Sequence, residues 1–441
     1  MIEDTIFALA SGYGRAAIQI LRLSGPKTRE IIQSGAEQLP APRSAKLVTL
    51  KNQAGDIVDR GLLLWFPGPH SFTGEDCAEF QLHGGAAITD AVFLWLQGFD
   101  GCRLAAAGEF TRRAIQNGKM SLVEAEGLID LIDAETDFQR RQALDQTFGG
   151  LSSHVKQWRS QLLDALMLTE ALIDFSDEAD VNPTIFGQIQ SRLSILQKEL
   201  EAAIQKATRG EQIREGFRVL LAGAPNAGKS TLLNALAERD VAIVSAIPGT
   251  TRDVIEVKLD LKGYPVIILD TAGVHETLDI IEQEGIRRTL REAHRADLIL
   301  WLEPVQNGLS ALPDEFEPFH DKVIRVGTKV DQSDILPGSL SVSALNGSGI
   351  DTLLDEILRR FTDGSETIMP KNAILTRSRH RNEVETALES IRDAYAGMSS
   401  KNVEFIAEHI RLALKAVGRI THSIGSEEVL DRLFAGFCIG K

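Results

Sequence analysis

The run Phe217-Arg-Val-Leu-Leu-Ala222, continued by Gly223-Ala-Pro-Asn-Ala-Gly228-Lys229-Ser230 and then Thr231-Leu-Leu-Asn-Ala-Leu236, decides the fold of the central part of the chain. An apolar run of this length predicts a buried strand, and the stretch after Ser230 predicts a helix. A Gly-x-x-x-x-Gly-Lys-Ser segment between a strand and a helix is a phosphate-binding loop. Its glycines let backbone N–H groups turn toward phosphate oxygens, and the helix N-terminus adds partial positive charge. Asn226, Ala227, Gly228, Lys229, Ser230 and Thr231 are therefore expected at the phosphates. Lys229 should reach the β and γ groups, and Ser230 should give an oxygen to Mg²⁺.

Further along, the segment Ser245-Ala246-Ile247-Pro248-Gly249-Thr250-Thr251 is assigned to the same nucleotide, with Thr251 the switch threonine that completes the Mg²⁺ shell. Tyr264-Pro-Val-Ile-Ile-Leu-Asp270 predicts a buried strand running into Asp270-Thr271-Ala272-Gly273. Asp270 suits an outer-shell Mg²⁺ contact, and the Gly273 amide can sense a γ-phosphate, the contact through which such loops switch. After the strand Lys322-Val-Ile-Arg-Val326 comes Thr328-Lys329-Val330-Asp331. Asp331 accepts from the N1–H and exocyclic amine of guanine, a pair adenine lacks. Thr328 replaces the amide that would contact N7 and O6, which weakens the expected purine contact. Ser343-Ala344, after Ser339-Leu-Ser-Val342, fits the last base-contacting loop. GTP hydrolysis is the expected activity. Yet Val274 stands where Ras-like proteins carry a water-orienting glutamine, so water positioning must come from elsewhere.

With 441 residues the chain is too long for one core. Its 43% hydrophobic and 25% charged residues are those of a soluble globular protein. No run of about 18 apolar residues occurs, so no membrane span is expected. Met1-Ile-Glu-Asp4 lacks a basic leader, and a cytosolic (cytoplasmic) protein is the simplest expectation. The net charge of −15 argues against broad electrostatic binding of nucleic acid, so any RNA needs a local patch or a partner protein. Cys77, Cys102 and Cys438 form neither metal spacing nor a disulfide framework, and the first two read as packing residues.

Residues 1–118 alternate strand-like runs (Ala17–Leu23, Gly61–Phe66, Cys77–His83) with turns, and helices are expected at 86–98 and 108–117, giving an α+β domain. Residues 119–213 shift to helical periodicity. Leu122, Ala125, Leu128, Ile129 and Ile132 form one expected stripe, and Leu162, Leu166 and Ile173 belong to another. Residues 214–367 form the α/β nucleotide module. Residues 368–441, from about Pro370, return to helices, so the helical domain is split by an inserted P-loop module. The basic cluster Arg377, Arg379, His380, Arg381 reads either as a solvated face or as a contact for a partner or tRNA.

Several of these segments together resemble the MnmE (TrmE) family of bacterial tRNA-modification GTPases. They are residues 223–230, 248–253 and 270–273, Ser71-Phe-Thr-Gly-Glu-Asp76, His83-Gly-Gly85, Gly108-Glu-Phe-Thr-Arg112, Ile173-Asp-Phe-Ser-Asp-Glu178 and the terminal Phe437-Cys-Ile-Gly-Lys441. The resemblance runs nearly end to end, and no nucleotide-binding role explains the terminal Cys-Ile-Gly-Lys. It implies a homodimer through the N-terminal domain and a bound 5-formyl-tetrahydrofolate or related one-carbon tetrahydrofolate. It also implies a heterotetramer or larger complex with the FAD-containing flavoprotein MnmG (GidA). Together the two would add aminomethyl or carboxymethylaminomethyl groups to C5 of the wobble uridine of certain tRNAs. By the same match, Arg22, Glu79, Lys119 and Lys441 would hold the folate, Asn226, Ser245, Ile247 and Thr250 a potassium ion, and Glu282 would be the catalytic glutamate. Read without the resemblance, Glu282 is an ordinary helix carboxylate, and Arg22 and Lys119 are surface charges. Cys438 would act as a nucleophile favoured by nearby cations, or its tail would seal the folate pocket or dock the partner.

Two rival classes fit less of the chain. A ribosome-assembly or RNA-chaperone GTPase would carry a second GTPase copy or a Gly-x-x-Gly RNA clamp, and neither is evident. A bare regulatory switch leaves the cysteine tail unexplained.

Overall fold

The computed structural model describes residues 4–174, 182–243, 255–270, 281–307, 312–332, 340–362, 374–400, 402–421, 434 and 440; the side chains of 182, 255, 281–286 and 400 fall outside that description. Two compact units divide the chain. One comprises Met1–Ile129, Gln146–Ser160 and Leu414–Lys441, the other Asp130–Asp145 and Gln161–Ala413. No described helix is long and apolar enough to cross a membrane.

The first unit is built on β1 (Thr5–Leu9), β2 (Ala16–Ser24), α1 (Thr28–Ala36), β3 (Lys46–Lys51), β4 (Ile57–Phe66), β5 (Cys77–Gly84), α2 (Ala86–Gln97), β6 (Cys102–Leu104) and α3 (Glu109–Gln116). The strands join in the order β3-β4-β5-β2-β1-β6. Alternation along the strands sends Phe7, Leu21, Leu23, Leu50 and Phe80 into one core with Ile31, Ile32, Trp95 and Leu96 of the covering helices. The other parity carries Arg22 of β2 directly opposite Glu79 of β5. Cys77 and Cys102 are both buried, and burial pushes the Cys102 thiol up to about 11.

Helices α4 (Leu122–Asp133), α5 (Asp137–Thr147), α6 (Gly150–Asp174) and α7 (Asn182–Glu215) follow. The buried stripes include the expected Leu122, Ala125 and Leu162 but otherwise differ from the sequence expectation. In α4 the buried residues are Leu122, Val123, Ala125, Glu126 and Gly127, and Ile132 is 38% exposed. In α6 they are Leu151, Ser152, Val155, Trp158, Leu162, Ala165, Thr169 and Leu172, which apart from Ser152 step by four and three. Leu166 and Ile173 each sit one position off that seam. A threonine can occupy it because the Thr169 hydroxyl donates to the Ala165 carbonyl at 2.7 Å, leaving only its methyl to pack.

The second unit holds β7 (Phe217–Gly223), α8 (Lys229–Ala237), β8 (Ile255–Leu261), β9 (Tyr264–Asp270), α9 (Ile281–Arg295), β10 (Leu298–Pro304), β11 (Val323–Thr328), β12 (Leu340–Val342) and α10 (Ile350–Thr362). The order β12-β11-β10-β7-β9-β8 is parallel except for the β8–β9 hairpin. Two apolar layers cover its faces. Between β10 and β11, where a Ras-like module has an α-helix, Asp314–Lys322 forms a 3₁₀ helix. Pro318 inside it lacks the N–H an α-helix needs, and Phe316 and Phe319, three apart, fall on one buried face.

Two long helices close the fold, α11 (Ser378–Ser400) and α12 (Val403–Thr421). The basic cluster at the start of α11 is spent inside the unit. Arg377 pairs with Asp130 at 2.6 Å, Arg381 pairs with Glu211 at 3.2 Å, and His380 is fully buried. These charges tie α11 to α4 and α7 and do not form a solvated face. The helices also grip the nucleotide module. Gln212 donates to Asp297 at 2.8 Å, and the Phe138 ring meets Tyr264 edge-on at 4.6 Å.

Candidate functional site

The phosphate loop leaves β7 at Gly223, whose partner in β10 is Leu302. A Cβ on Gly223, at φ 140°, would come 2.3 Å from the Leu302 carbonyl oxygen, so no other residue fits. Asn226 at φ 61° and Gly228 at φ 95° then wrap the loop back onto α8. Asparagine is among the few side chains that accept this left-handed backbone. The first N–H groups of α8, at Lys229, Ser230 and Thr231, have no intrahelical acceptor and face an anion site.

The Lys229 ammonium donates to the Gly223 and Ala224 carbonyls at 3.0 Å each. Burial holds its pKa below the ordinary lysine value, and the Asp270 carboxylate opposes that shift. Parallel pairing of β7 with β9 sets Leu221 beside Asp270. The Ser230 hydroxyl therefore reaches the fully buried Asp270 carboxylate at 2.7 Å. A hydroxyl and a carboxylate oxygen at one strand end are hard donors of the kind Mg²⁺ takes.

The base-recognition loops close from β11 and β12. The buried Thr328 hydroxyl donates to the Ala227 carbonyl of the phosphate loop at 2.7 Å. Its single O–H is thereby committed to the phosphate loop. Lys329 adopts φ 60°, and the exposed Asp331 carboxylate accepts from Ser343 at 2.6 Å, next to Ala344. Ser245, Ala246, Ile247, Pro248, Gly249, Thr250, Thr251, Thr271, Ala272 and Gly273 lie outside the described residues. Glu282 falls within α9, but its side chain is outside the description, as are Cys438 and Lys441.

A second polar constellation occupies the first unit. Arg22 donates through Nε and Nη2 to one oxygen of Glu79, at 3.0 and 2.8 Å. The guanidinium lies 5.4 Å from the Phe72 ring centroid and 5.8 Å from that of Phe110. The aliphatic stem of Lys119 rests against Gly74, in the same loop as Phe72. Gly440 of the terminal Cys-Ile-Gly-Lys is buried against β1. A Cβ there would come 2.0 Å from the Leu9 carbonyl oxygen, and β1 places Ala8 opposite Arg22.

Against known proteins, residues 5–119 match the model for the GTP-binding protein TrmE N-terminus, and residues 122–438 match that for the MnmE helical domain. The chain is 48% identical over 446 residues to the tRNA modification GTPase MnmE of Methylorubrum populi, covering 100% of this chain and 98% of that one. It is 47% identical to the MnmE of Methylobacterium radiotolerans, covering 99% of each, and 45% identical to that of Brucella canis, covering 100% and 98%.

The chain belongs to the MnmE family of tRNA-modification GTPases. Membership makes it a GTP hydrolase of a tRNA-modification pathway.

Sequence reasoning passed over one group that organises the MnmE-type N-terminal unit. Arg113, only 2% exposed, pairs with Asp4 at 2.8 Å, Glu109 at 3.1 Å and Glu75 at 3.2 Å. Glu75 also accepts from Ser24 at 2.6 Å. Arg113 thus fixes the start of β1, the loop carrying Phe72, and α3. The available signal was the adjacent Arg112–Arg113 pair in α3, which does not say which arginine turns inward.

Proposed function

We propose that this chain hydrolyses GTP with Mg²⁺ on Ser230 and Thr251, using a potassium ion held by Asn226, Ser245, Ile247 and Thr250 in place of an arginine finger. The observation that carries this reading is the Lys229–Ser230–Asp270 constellation. An ammonium bonded, among the described residues, only to its own loop and a hydroxyl on a buried carboxylate suit phosphate and metal. Glu282 positions the attacking water, since Val274 has no group to do so. The water oxygen forms a bond to the γ-phosphorus, the bond from phosphorus to the β–γ bridging oxygen breaks, and GDP and phosphate leave. A potassium ion held by Asn226 and its switch partners would supply positive charge to offset the negative charge developing on the leaving group. Guanine is selected by Asp331, with Ser343 holding its carboxylate in place.

The hydrolysis serves modification of C5 of the wobble uridine, performed in the cytoplasm by a homodimer of this chain with the flavoprotein MnmG. Arg22, Glu79, Lys119 and Lys441 hold a one-carbon tetrahydrofolate. Support comes from the second oxygen of Glu79, which has no hydrogen-bond partner among the described residues and suits a pterin amine, and from Gly440 lying against the strand next to Arg22. Cys438 precedes Gly440 by two residues, and cations near it would favour its thiolate.

The decisive test is turnover of the full chain in KCl and in NaCl at equal ionic strength. Potassium should raise the rate by roughly 10³–10⁵, the range of an arginine finger, and Glu282→Ala should lower it by about 10²–10⁴ with GTP affinity retained. Equal rates in both salts would refute the potassium assignment, and normal turnover of Glu282→Ala would remove that residue from the chemistry.

A further inference from the structure

Helix α9 presents Arg287, Arg291 and Arg295 at four-residue spacing, all exposed. Each step is about 6 Å along the axis, so the three form a straight row on one face. The opposite face, with Leu290, Ala293 and Ala296, packs into the apolar layer on the sheet, which turns the row away from the core. Arg287 and Arg291 have no hydrogen-bond or ion-pair partner among the described residues. Arg295 comes only to 3.7 Å from Glu292, whose carboxylate also faces Arg218 at 3.5 Å.

This row contrasts with the arginines around it. In the same unit Arg377, Arg381, Arg325 and Arg411 are matched to Asp130, Glu211, Glu303 and Glu170. The chain carries a net charge of −15, so carboxylates to match the row are plentiful. Like charges four apart on a helix repel one another. A self-repelling row in which, among the described residues, only Arg295 meets a carboxylate, and that at 3.7 Å, is relieved by an external anion. A protein surface offers carboxylates on mobile side chains. A nucleic-acid strand offers phosphates at regular spacing, and arginine forks bind these bidentately.

We propose that the Arg287–Arg291–Arg295 face of α9 docks the phosphate backbone of tRNA; this rests on reading the chain as a tRNA-modification GTPase. It supplies the local basic patch that an acidic chain needs, a role the cluster at 377–381 does not fill because its charges are paired internally. The contact is to the backbone, so it positions the RNA and carries no base preference.

The experiment measures binding of the full chain to an unmodified tRNA transcript over a KCl series, with GDP affinity as the check on folding. Variants are the charge reversal R287E/R291E/R295E and the charge-retaining R287K/R291K/R295K. Each lost phosphate contact removes roughly 0.7–0.9 from the slope of log K against log salt. The reversal should therefore flatten the slope by about two and weaken binding at least tenfold, while the lysine variant keeps most of both. Unchanged affinity and slope in the reversal would overturn the proposal, and so would loss of an acidic protein partner with tRNA binding intact. In cells lacking the gene, the wild-type chain should restore wobble-uridine modification and the reversal should not. Normal modification without the gene would sink the tRNA-modification reading itself, whereas restoration by both forms would sink only the α9 face.

Discussion

Arg113 and Lys229 are both cations drawn out of water, and the protein treats them in opposite ways. Around Arg113 the chain places three carboxylates within 3.2 Å, so the guanidinium is neutralised by its own protein. Around Lys229 it places two backbone carbonyls and no carboxylate at ion-pair distance among the described residues. Burial pushes the Lys229 pKa down, while the carboxyls of Asp4 and Glu109 are held below the ordinary carboxylate range. For those two, burial pushes upward, and the hydrogen bonds and charges of Arg103 and Arg113 more than offset it. A matched buried charge stores stability, and an unmatched one stores affinity for a ligand of opposite sign. The first arrangement builds a scaffold and the second a binding site.

Removing the matched cation should have the largest effect on folding. Arg113→Met leaves Asp4, Glu75 and Glu109 facing one another in a poorly solvated site, and loss of one partner of such a pair costs about 3–5 kcal/mol. Denaturant unfolding at neutral pH should show that loss, and Arg113→Lys should recover little of it, because an ammonium cannot serve three acceptors as a planar fork does. The pH dependence carries a definite sign. The Asp4 and Glu109 pKa values are depressed in the folded state, so their stabilisation is complete above the ordinary carboxylate range. It is lost as pH falls through the folded values. Acid should therefore narrow the gap between wild type and Arg113→Met. A gap that stayed constant down to pH 2 would show that the carboxylates do not act through Arg113.

The unmatched cation should behave the other way. Lys229→Met removes a half-buried charge whose only hydrogen-bond partners among the described residues are carbonyls, so the nucleotide-free protein should lose little stability. Nucleotide affinity should fall about 100-fold, the worth of one or two hydrogen bonds to a charged group. Calorimetry with GDP and thermal unfolding without it measure the two halves. Destabilisation of the nucleotide-free form comparable to that of Arg113→Met would erase the contrast between the regions.

The same contrast marks what was legible in the sequence. The phosphate loop could be read because its chemistry is local: strand, glycines, lysine and serine are consecutive from Phe217 to Ser230. The Arg113 network could not, because its partners Asp4, Glu75 and Glu109 come from three separate segments that only the fold brings together. Helix positions were legible as helices, but the buried face of α6 was not. Ala165 and Thr169 carry no strong apolar signal, whereas Leu166 and Ile173 do and sit beside the seam. The cluster at Arg377–Arg381 looked free because Asp130 and Glu211 lie far away in sequence. Gly440 could be recognised from the family tail, but its place against Leu9 depends on a backbone approach that no pattern encodes.

The smallest effect separates two ways in which Thr328 could act, and it sharpens how the binding site is kept in shape without ion pairs. The Thr328 hydroxyl donates to the Ala227 carbonyl, so β11 buttresses the phosphate loop from behind. Thr328→Val keeps the shape and removes the donor, leaving a buried carbonyl unsatisfied at a cost of about 1–3 kcal/mol. That loss falls on the loop common to every nucleotide, so affinities for GDP, GTP and ATP should all drop by a similar factor of about ten. The preference of GTP over ATP should not change, because Asp331 and Ser343 are untouched. Thr328→Ser, which retains the donor, should restore most of the affinity. Asp331→Asn should do the reverse, shifting preference toward xanthosine triphosphate while the phosphate loop keeps its buttress. If Thr328→Val instead lowered guanine preference and left ATP affinity alone, its hydroxyl would be a base contact, and the loop would owe its shape to the glycines and Asn226 alone.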